Sequence, residues 1–215
     1  VQMLTIPRTL NPVIDMNTFF DSDTLRRNAL RANLNVPVTQ FNGENMTLLN
    51  TVAEMSLPGY LLMDYSTALR PEARLVAGGA GTIFRATILD QNAIARSGTS
   101  ECAVKVVEDW PSFTEEQNRE RFHHEVTVMW SLSFNANVIK LLGYCEEPRA
   151  IVTKLYPTDL FRYLHAQEDR NPLEPHLMLH LASGIVNAIA AMHSMGVAHR
   201  DIKSPNVLMQ EPQNG

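Results

Sequence analysis

The pattern of apolar and polar residues divides the chain at about residue 71. Residues 1–70 carry no chemistry that we can assign, so we interpret them as an N-terminal extension or linker of unknown role. Beyond this point, short runs rich in apolar and β-branched residues predict β-strands. These strands are predicted at 74–77, 83–89, 101–107, 138–145 and 150–155.

Helical periodicity follows the third of these strands and dominates the second half of the chain. In residues 115–132, Phe122, Val126 and Met129 recur at helical spacing on one face. Further helices are predicted at 159–165 and 176–195. Strands first and helices afterwards predict an α+β fold, with a sheet-based part and a helical part.

One stretch of the predicted helical part, from Pro175 to His199, contains no Asp, Glu, Lys or Arg and is long enough to span a bilayer. It also contains polar residues such as His180 and Asn187, and its apolar density is low for a lipid environment. We therefore predict a buried amphipathic helix and no membrane span.

Composition narrows the classes of function. The chain has 215 residues, a net charge of -5 and 45% hydrophobic residues. This acidic balance, without a basic stripe, argues against nucleic-acid binding. Cys102 and Cys145 have no metal-ligand spacing, so we expect reduced thiols in a cytoplasmic protein.

A glycine-rich turn, Gly78-Gly79-Ala80-Gly81, separates the first two predicted strands. Backbone N–H groups at glycines can approach phosphate oxygens because no Cβ is in the way. A tight β-hairpin requires glycines of the same kind. The turn alone therefore leaves a phosphate site and a plain hairpin open.

The third predicted strand carries one charged residue, Lys105, within an apolar run. A buried ammonium group requires an anionic partner, and Glu125 on the following helix is the candidate. The alternative is a lysine on an edge strand whose ammonium group reaches solvent.

The most specific pattern in the chain runs from His199 to Asn206. It reads His-Arg-Asp, four further residues, then Asn. The carboxylate of Asp201 can accept the proton of an attacking hydroxyl, and the amide oxygen of Asn206 can hold a metal that bridges phosphates. Together these groups indicate phosphoryl transfer.

Four features follow one another along the chain: the glycine turn, the lysine of the third strand, the glutamate of the helix and the His-Arg-Asp loop. Protein kinases have these features in the same order, and residues from about 73 to 209 resemble the first half of a eukaryotic-type protein kinase domain. The runs 137–145 and 150–156 make the chain most similar to the tyrosine-kinase-like group of Ser/Thr kinases. The resemblance implies a bilobal fold over 71–215, with an N-lobe at 71–156 and the start of a helical C-lobe at 157–215.

The resemblance also implies ATP and Mg²⁺ as ligands, a protein substrate and a set of catalytic residues. Asp201 would be the catalytic base, and Lys203 would stabilise charge on the transferred phosphoryl group. Lys105 would bind the α- and β-phosphates and pair with Glu125, while Asn206 would bind Mg²⁺. A lysine two residues after the aspartate resembles the pattern of Ser/Thr-specific kinases.

A second set of residues would contact the nucleotide. The resemblance implies a glycine turn over the phosphates, apolar residues on both sides of the adenine, a gatekeeper residue and hinge backbone groups. In that order they are Val76, Gly78, Gly79 and Gly81; Ile83, Ala103 and Leu208; Thr153; and Lys154 and Tyr156.

The glycine turn departs from the family pattern. Val76 stands where the first glycine is usual, and Ala80 stands where the turn usually carries an aromatic residue. The sequence also ends before an Asp-Phe-Gly motif, so we expect it to be part of a longer protein and to be inactive by itself. A pseudokinase or truncated nucleotide-binding scaffold that acts through protein contacts is the alternative function.

Overall fold

The computed structural model describes residues 11–14, 57–78, 81–165 and 174–210, with the backbone alone for 11–14 and Gly78. Gly79 and Ala80 of the glycine turn lie outside the described residues. The described part combines strands with helices in the predicted order, so the α+β fold class is confirmed.

Eight strands, five α-helices and two short 3-10 helices (Gly59–Leu61 and Ser204–Asn206) make up the regular structure of these described ranges. The strands are β1 (Asn11–Ile14), β2 (Leu69–Gly78), β3 (Gly81–Ile88), β4 (Glu101–Val106), β5 (Leu141–Cys145), β6 (Ala150–Lys154), β7 (Thr158–Asp159) and β8 (Val207–Gln210). The helices are α1 (Tyr65–Ala68), α2 (Gln91–Ser97), α3 (Glu115–Leu132), α4 (Leu160–His165) and α5 (Pro175–Ser194).

The strands form two antiparallel sheets. The larger sheet has five strands in the order β2-β3-β4-β6-β5, and the smaller has the order β1-β8-β7. β4 is therefore the central strand of the larger sheet, with β3 and β6 as its neighbours. β8, which follows the His-Arg-Asp loop, pairs on its two sides with β1 and β7.

The larger sheet separates two hydrophobic cores. The first core joins one face of the sheet to α3 and α5, and includes Phe122, Ile151 and Met192. The second core covers the opposite face and includes Cys102 and Val104. This arrangement follows from the strand period of two, because neighbouring residues of one strand point to opposite faces.

Residues 57–68 precede the predicted domain boundary but pack against the same sheet. Leu61 is buried in the first core and Met63 in the second. The backbone N–H of Met63 donates to the carbonyl oxygen of Tyr144 at 2.8 Å. The chain is thus fixed to β5 well before β2 begins.

α3 spans Glu115–Leu132, the range predicted from periodicity. Its N-terminus is closed by a capping box, in which the Thr114 side chain accepts from the N–H of Gln117 and the Gln117 side chain accepts from the N–H of Thr114. Phe122, Val126 and Met129 on its inner face are almost fully buried. Periodicity and cap together determine where the helix lies and which face it buries.

α5 buries a single stripe of residues that recur every three or four positions, from Leu177 to Met192. Its other side exposes Met178, Leu179 and Val186. By length and composition α5 is also able to cross a membrane, with a mean hydropathy of 1.3 over 18 residues, of which 28% are buried. The expectation that the chain has no membrane span stays a prediction.

Candidate active site

The strand register places the predicted nucleotide-binding residues on one face of the larger sheet. Directly opposed residues of antiparallel strands point to the same face. Val76 lies opposite Ile83, and Ile83 lies opposite Lys105. In the adjacent row, Ala103 lies opposite Thr153. The sheet thus presents five of the predicted residues to the side on which α3 packs.

Lys105 is buried and paired, so the alternative of a solvent-reaching lysine on an edge strand is wrong. Its side chain is 5% exposed, and β4 lies at the centre of the sheet. Its Nζ atom is 2.9 Å from Oε1 of Glu125, whose side chain is 1% exposed. Glu125 lies on the inner face of α3, next to Val126 and one turn after Phe122. The two charges compensate each other in a water-poor environment.

β2 and β3 are antiparallel neighbours, and their last pair before the glycine turn is Gly78 and Gly81. Gly81 has φ of +132°, and a Cβ atom there would overlap the carbonyl oxygen of Val106 on β4. Sheet geometry therefore requires this glycine whether or not phosphate binds nearby. β2 and β3 therefore form a hairpin, and phosphate binding by Gly78 and Gly81 stays a prediction.

The loop that carries Asp201 begins at the end of α5. The N–H of Gly196 donates to the His193 carbonyl at 3.0 Å, and the N–H of Val197 donates to the Met192 carbonyl at 2.9 Å. This pattern ends a helix with a left-handed residue, and Gly196 provides it with φ of +71°. The chain thereby turns at the end of α5 and continues through this loop into β8 of the smaller sheet.

Arg200 adopts a left-handed backbone conformation, with φ of 65°, next to the candidate catalytic residue. Such a conformation is unfavourable for a residue with a Cβ atom and is often found at active sites. His199, which is buried, accepts a hydrogen bond on Nδ1 from the backbone N–H of Asp201 at 3.3 Å. Backbone geometry and His199 together orient Asp201. The motif includes His199, but its spacing alone predicts no such role for this residue.

Asp201, Lys203 and Asn206 form one polar cluster. Nζ of Lys203 lies 2.9 Å from Oδ2 of Asp201. Nδ2 of Asn206 donates to the backbone carbonyl of Asp201 at 2.8 Å and to its Oδ2 at 2.9 Å. These bonds determine how the Asn206 amide is turned, since its nitrogen faces Asp201 and its oxygen is the atom able to ligate a cation.

The predicted adenine contacts continue from β6 into the segment that follows it. Thr153 is buried, whereas Lys154 and Tyr156 are partly buried. Burial, followed by the charge of Lys140, lowers the pKa of the Lys154 ammonium group. Leu208 is partly buried on β8 and packs against the first core, as Tyr156 does.

The described residues fit a magnesium nucleotide. A buried ammonium group, a partly exposed carboxylate and an oriented amide provide donors and acceptors for phosphates and a cation. Among the described residues no group of three or more His, Cys, Asp or Glu side chains could hold a metal ion. Mg²⁺ suits such a site, because it usually binds to one or two protein oxygens and to substrate phosphates.

Comparison with known proteins agrees with this geometry. Residues 69–214 match the family described as protein tyrosine and serine/threonine kinase. Two relatives from Arabidopsis thaliana, wall-associated receptor kinase-like 1 and wall-associated receptor kinase-like 3, are each 31% identical over 62% of this chain. The "Probable serine/threonine-protein kinase roco9" of Dictyostelium discoideum is 31% identical over 59% of this chain.

The matched part is a small share of these relatives. The chain spans 17% of each of the two Arabidopsis proteins and 4% of the Dictyostelium protein. The family match nevertheless covers well over half of the present chain and includes every residue of the candidate site. The chain therefore belongs to the protein tyrosine and serine/threonine kinase family.

Proposed function

We propose that the protein containing this chain transfers the γ-phosphoryl group of ATP to Ser or Thr hydroxyl groups of a protein substrate. Residues 71–156 would be the N-lobe of its kinase domain, and 157–215 the start of the C-lobe. ATP and Mg²⁺ would bind between the inner face of the larger sheet and the loop at 199–206. The protein would catalyse this reaction in the cytoplasm.

The buried pair of Lys105 and Glu125 is the observation that carries this proposal. A buried ion pair contributes little net stability compared with apolar packing, because both charges lose their hydration. A function outside folding is therefore the better reason for the pair, and phosphate binding by the Lys105 ammonium group is such a function. Family membership supports the same assignment.

Each residue of the site has a separate task in this reaction. Asp201 accepts a hydrogen bond from the substrate hydroxyl and takes its proton, while Lys203 beside it offsets negative charge on the transferred group. Lys105, held by Glu125, positions the α- and β-phosphates. Asn206 provides an oxygen for Mg²⁺, which when bound neutralises charge on the phosphates.

The adenine base would be held by residues of the larger sheet, of β8 and of the segment that follows β6. Ile83 and Ala103 would cover one side of the adenine and Leu208 the other. Thr153 would limit the depth of the pocket, and the backbone of Lys154 and Tyr156 would bind the edge of the base. Val76, Gly78, Gly79 and Gly81 would lie over the phosphates.

Specificity for Ser and Thr rests on Lys203 and on the relatives. Lys203 lies two residues after Asp201 and contacts its carboxylate, at the position that resembles Ser/Thr-specific kinases. One relative from Dictyostelium carries serine/threonine-protein kinase in its name. Both observations favour an aliphatic hydroxyl as acceptor.

Asp201→Asn in the full-length protein tests the assignment. Transfer from radiolabelled ATP to a generic protein substrate should fall by about a thousandfold or more, because the variant lacks the group that takes the proton. Binding of a fluorescent ATP analogue should stay close to that of the unmodified protein. Phosphoamino-acid analysis of the wild-type product should give phosphoserine or phosphothreonine.

The other outcomes separate the alternatives. Nucleotide binding without transfer by the wild-type protein would favour the pseudokinase or scaffold, and would refute the proposed reaction. Phosphotyrosine as the product would refute the specificity alone. Loss of nucleotide binding in Asp201→Asn would show that this residue holds the nucleotide rather than the proton.

A further inference from the structure

Arg149 joins two acidic residues that lie outside the candidate site. It is the last residue of the turn between β5 and β6, and its side chain is 13% exposed. Its Nε donates to Oδ1 of Asp109 at 3.1 Å, and a terminal nitrogen donates to Oδ2 of the same carboxylate. Its terminal nitrogens also donate to both oxygens of Glu115, at 2.6 and 3.2 Å. One guanidinium group therefore holds two carboxylates, each through two bonds.

These contacts link three parts of the fold. Asp109 lies in the connection between β4 and α3, and Glu115 is the first residue of α3. Arg149 lies between β5 and β6 of the larger sheet. The backbone N–H of Val107 also donates to the carbonyl oxygen of Arg149 at 2.9 Å, so its backbone is fixed to the end of β4. Arg149 thus attaches the N-terminus of α3 to the larger sheet.

A second set of contacts fixes the connection to α3 itself. The N–H of Trp110 donates to Oδ1 of Asn118 at 2.9 Å, and Nδ2 of Asn118 donates back to the Trp110 carbonyl at 3.3 Å. The guanidinium group of Arg121 lies 4.1 Å from the centre of the Trp110 ring and donates to the Glu108 carbonyl. Connection and helix therefore move as one unit, and Arg149 ties that unit to the sheet.

The helix attached in this way carries Glu125. Glu115 and Glu125 are ten residues apart on α3, which corresponds to about 15 Å along the helix axis. A helix is stiff over this distance, so a rotation at its N-terminus also displaces Glu125. The bond between Glu125 and Lys105 requires a separation near 2.9 Å and is lost on a small displacement.

The exposure of the two carboxylates argues against a purely stabilising role. The side chains of Asp109 and Glu115 are 47% and 75% exposed. Hydrogen bonds from Arg149 lower the pKa of Glu115, so the carboxylate is charged at neutral pH. Ion pairs of this exposure contribute little to folding, but a rigid two-carboxylate fork restricts geometry strongly.

We propose that Arg149 is a positioning residue for the kinase reaction, because it holds α3 in the orientation in which Glu125 pairs with Lys105. This inference rests on the proposed function for its effect on catalysis. The contacts among Arg149, Asp109 and Glu115 are independent of that function.

The kinetic test is Arg149→Met in the full-length protein. Methionine keeps an unbranched apolar stem but removes all four bonds to the carboxylates. The ratio kcat/KM for ATP should fall at least about tenfold, since small misplacements of reacting groups are costly. Arg149→Lys should recover only part of this loss, because an ammonium group cannot hold two carboxylates in a planar fork.

A distance measurement tests the same inference without catalysis. Spin labels on cysteines introduced at Arg70 of β2 and Glu120 of α3, both exposed, report the position of the helix on the sheet. The native Cys102 and Cys145 are buried, and burial raises the pKa of both thiols to about 12, so they label slowly. Arg149→Met should broaden or shift the distance distribution.

Arg119→Met is the matched control. Arg119 is an exposed arginine whose ion pair with Glu116 stays within α3, so its loss removes a charge without releasing the helix from the sheet. The control should keep the wild-type distance distribution and kcat/KM. The double variant Asp109→Asn, Glu115→Gln should reproduce Arg149→Met, and adding Arg149→Met to it should change little further.

The outcomes are distinct for the two claims. An unchanged distance distribution in Arg149→Met, or an equal change in Arg119→Met, would overturn the positioning role. Absence of transfer by the wild-type protein would refute the proposed function, and the distance measurement would still decide the role of Arg149.

Discussion

Lys105 and Glu125 are the residues on which the site depends most, and their burial has a measurable energetic consequence. Both side chains are almost closed off from water, and Nζ of Lys105 lies 2.9 Å from Oε1 of Glu125. Removing one partner leaves a buried charge, which typically costs about 3–5 kcal/mol. Replacing both partners by apolar residues removes the ion pair without leaving an unpaired buried charge.

A double-mutant cycle tests this at the level of stability. Lys105→Met and Glu125→Leu should each lower the free energy of unfolding by about 3–5 kcal/mol. The double variant should lose clearly less than the sum, with a coupling energy of about 0.5–3 kcal/mol. Urea unfolding of the four proteins gives these values, and additive losses would show that the two side chains do not interact.

The sequence identifies candidate catalytic residues more readily than it predicts their environment. The His-Arg-Asp spacing identifies Asp201 and Asn206, because the motif has many fixed positions. Burial of Lys105 stayed open, since β4 could have been central or at an edge until strand order was known. No sequence pattern predicted the contacts of Arg149, because its partners are 34 and 40 positions away in the sequence.

At the scale of elements, α3 is the segment whose limits follow most directly from the sequence. Its apolar spacing defines the buried face, and Thr114 and Gln117 provide the capping box at its start. The cap also bears on the proposed positioning of α3, because it lies next to Glu115, the residue that Arg149 contacts.

Thr114→Ala tests the contribution of the cap. The variant removes the hydroxyl that accepts from the N–H of Gln117, and should lower the free energy of unfolding by about 1 kcal/mol. Thr114→Ser keeps the hydroxyl and serves as the control, with a loss well below that of alanine. Thermal unfolding compares the three proteins, and equal stability of all of them would contradict the assigned cap.

Other elements were missed or misplaced for identifiable reasons. α2 has a short range, Gln91–Ser97, without an apolar period, although Asp90 caps its first N–H groups and Gly98 ends it with φ of +73°. These two residues were the available signal. β5 begins at Leu141 rather than at Val138, because residues 135–138 form a turn in which the N–H of Val138 donates to the carbonyl oxygen of Asn135 at 3.1 Å.

At the scale of the whole molecule, the candidate site lies between parts that share one core. The first core contains Phe122 and Val126 of α3, Ile151 of β6, Leu181 of α5 and Met209 of β8. Sheet, helix and His-Arg-Asp loop are therefore packed together and not merely connected by the chain. Long-range packing of this kind depends on topology, so no local pattern in the sequence could predict it.

Binding of Mg²⁺-ATP to the full-length protein tests the central claim most directly. Isothermal titration should show one nucleotide site, and Lys105→Met should weaken binding at least about tenfold through the loss of charge-assisted bonds to phosphate. Lys140→Met, which removes an exposed lysine near the sheet, should leave the affinity unchanged. Equal affinity of wild-type and Lys105→Met proteins, or no binding by the wild-type protein, would contradict the proposed nucleotide site.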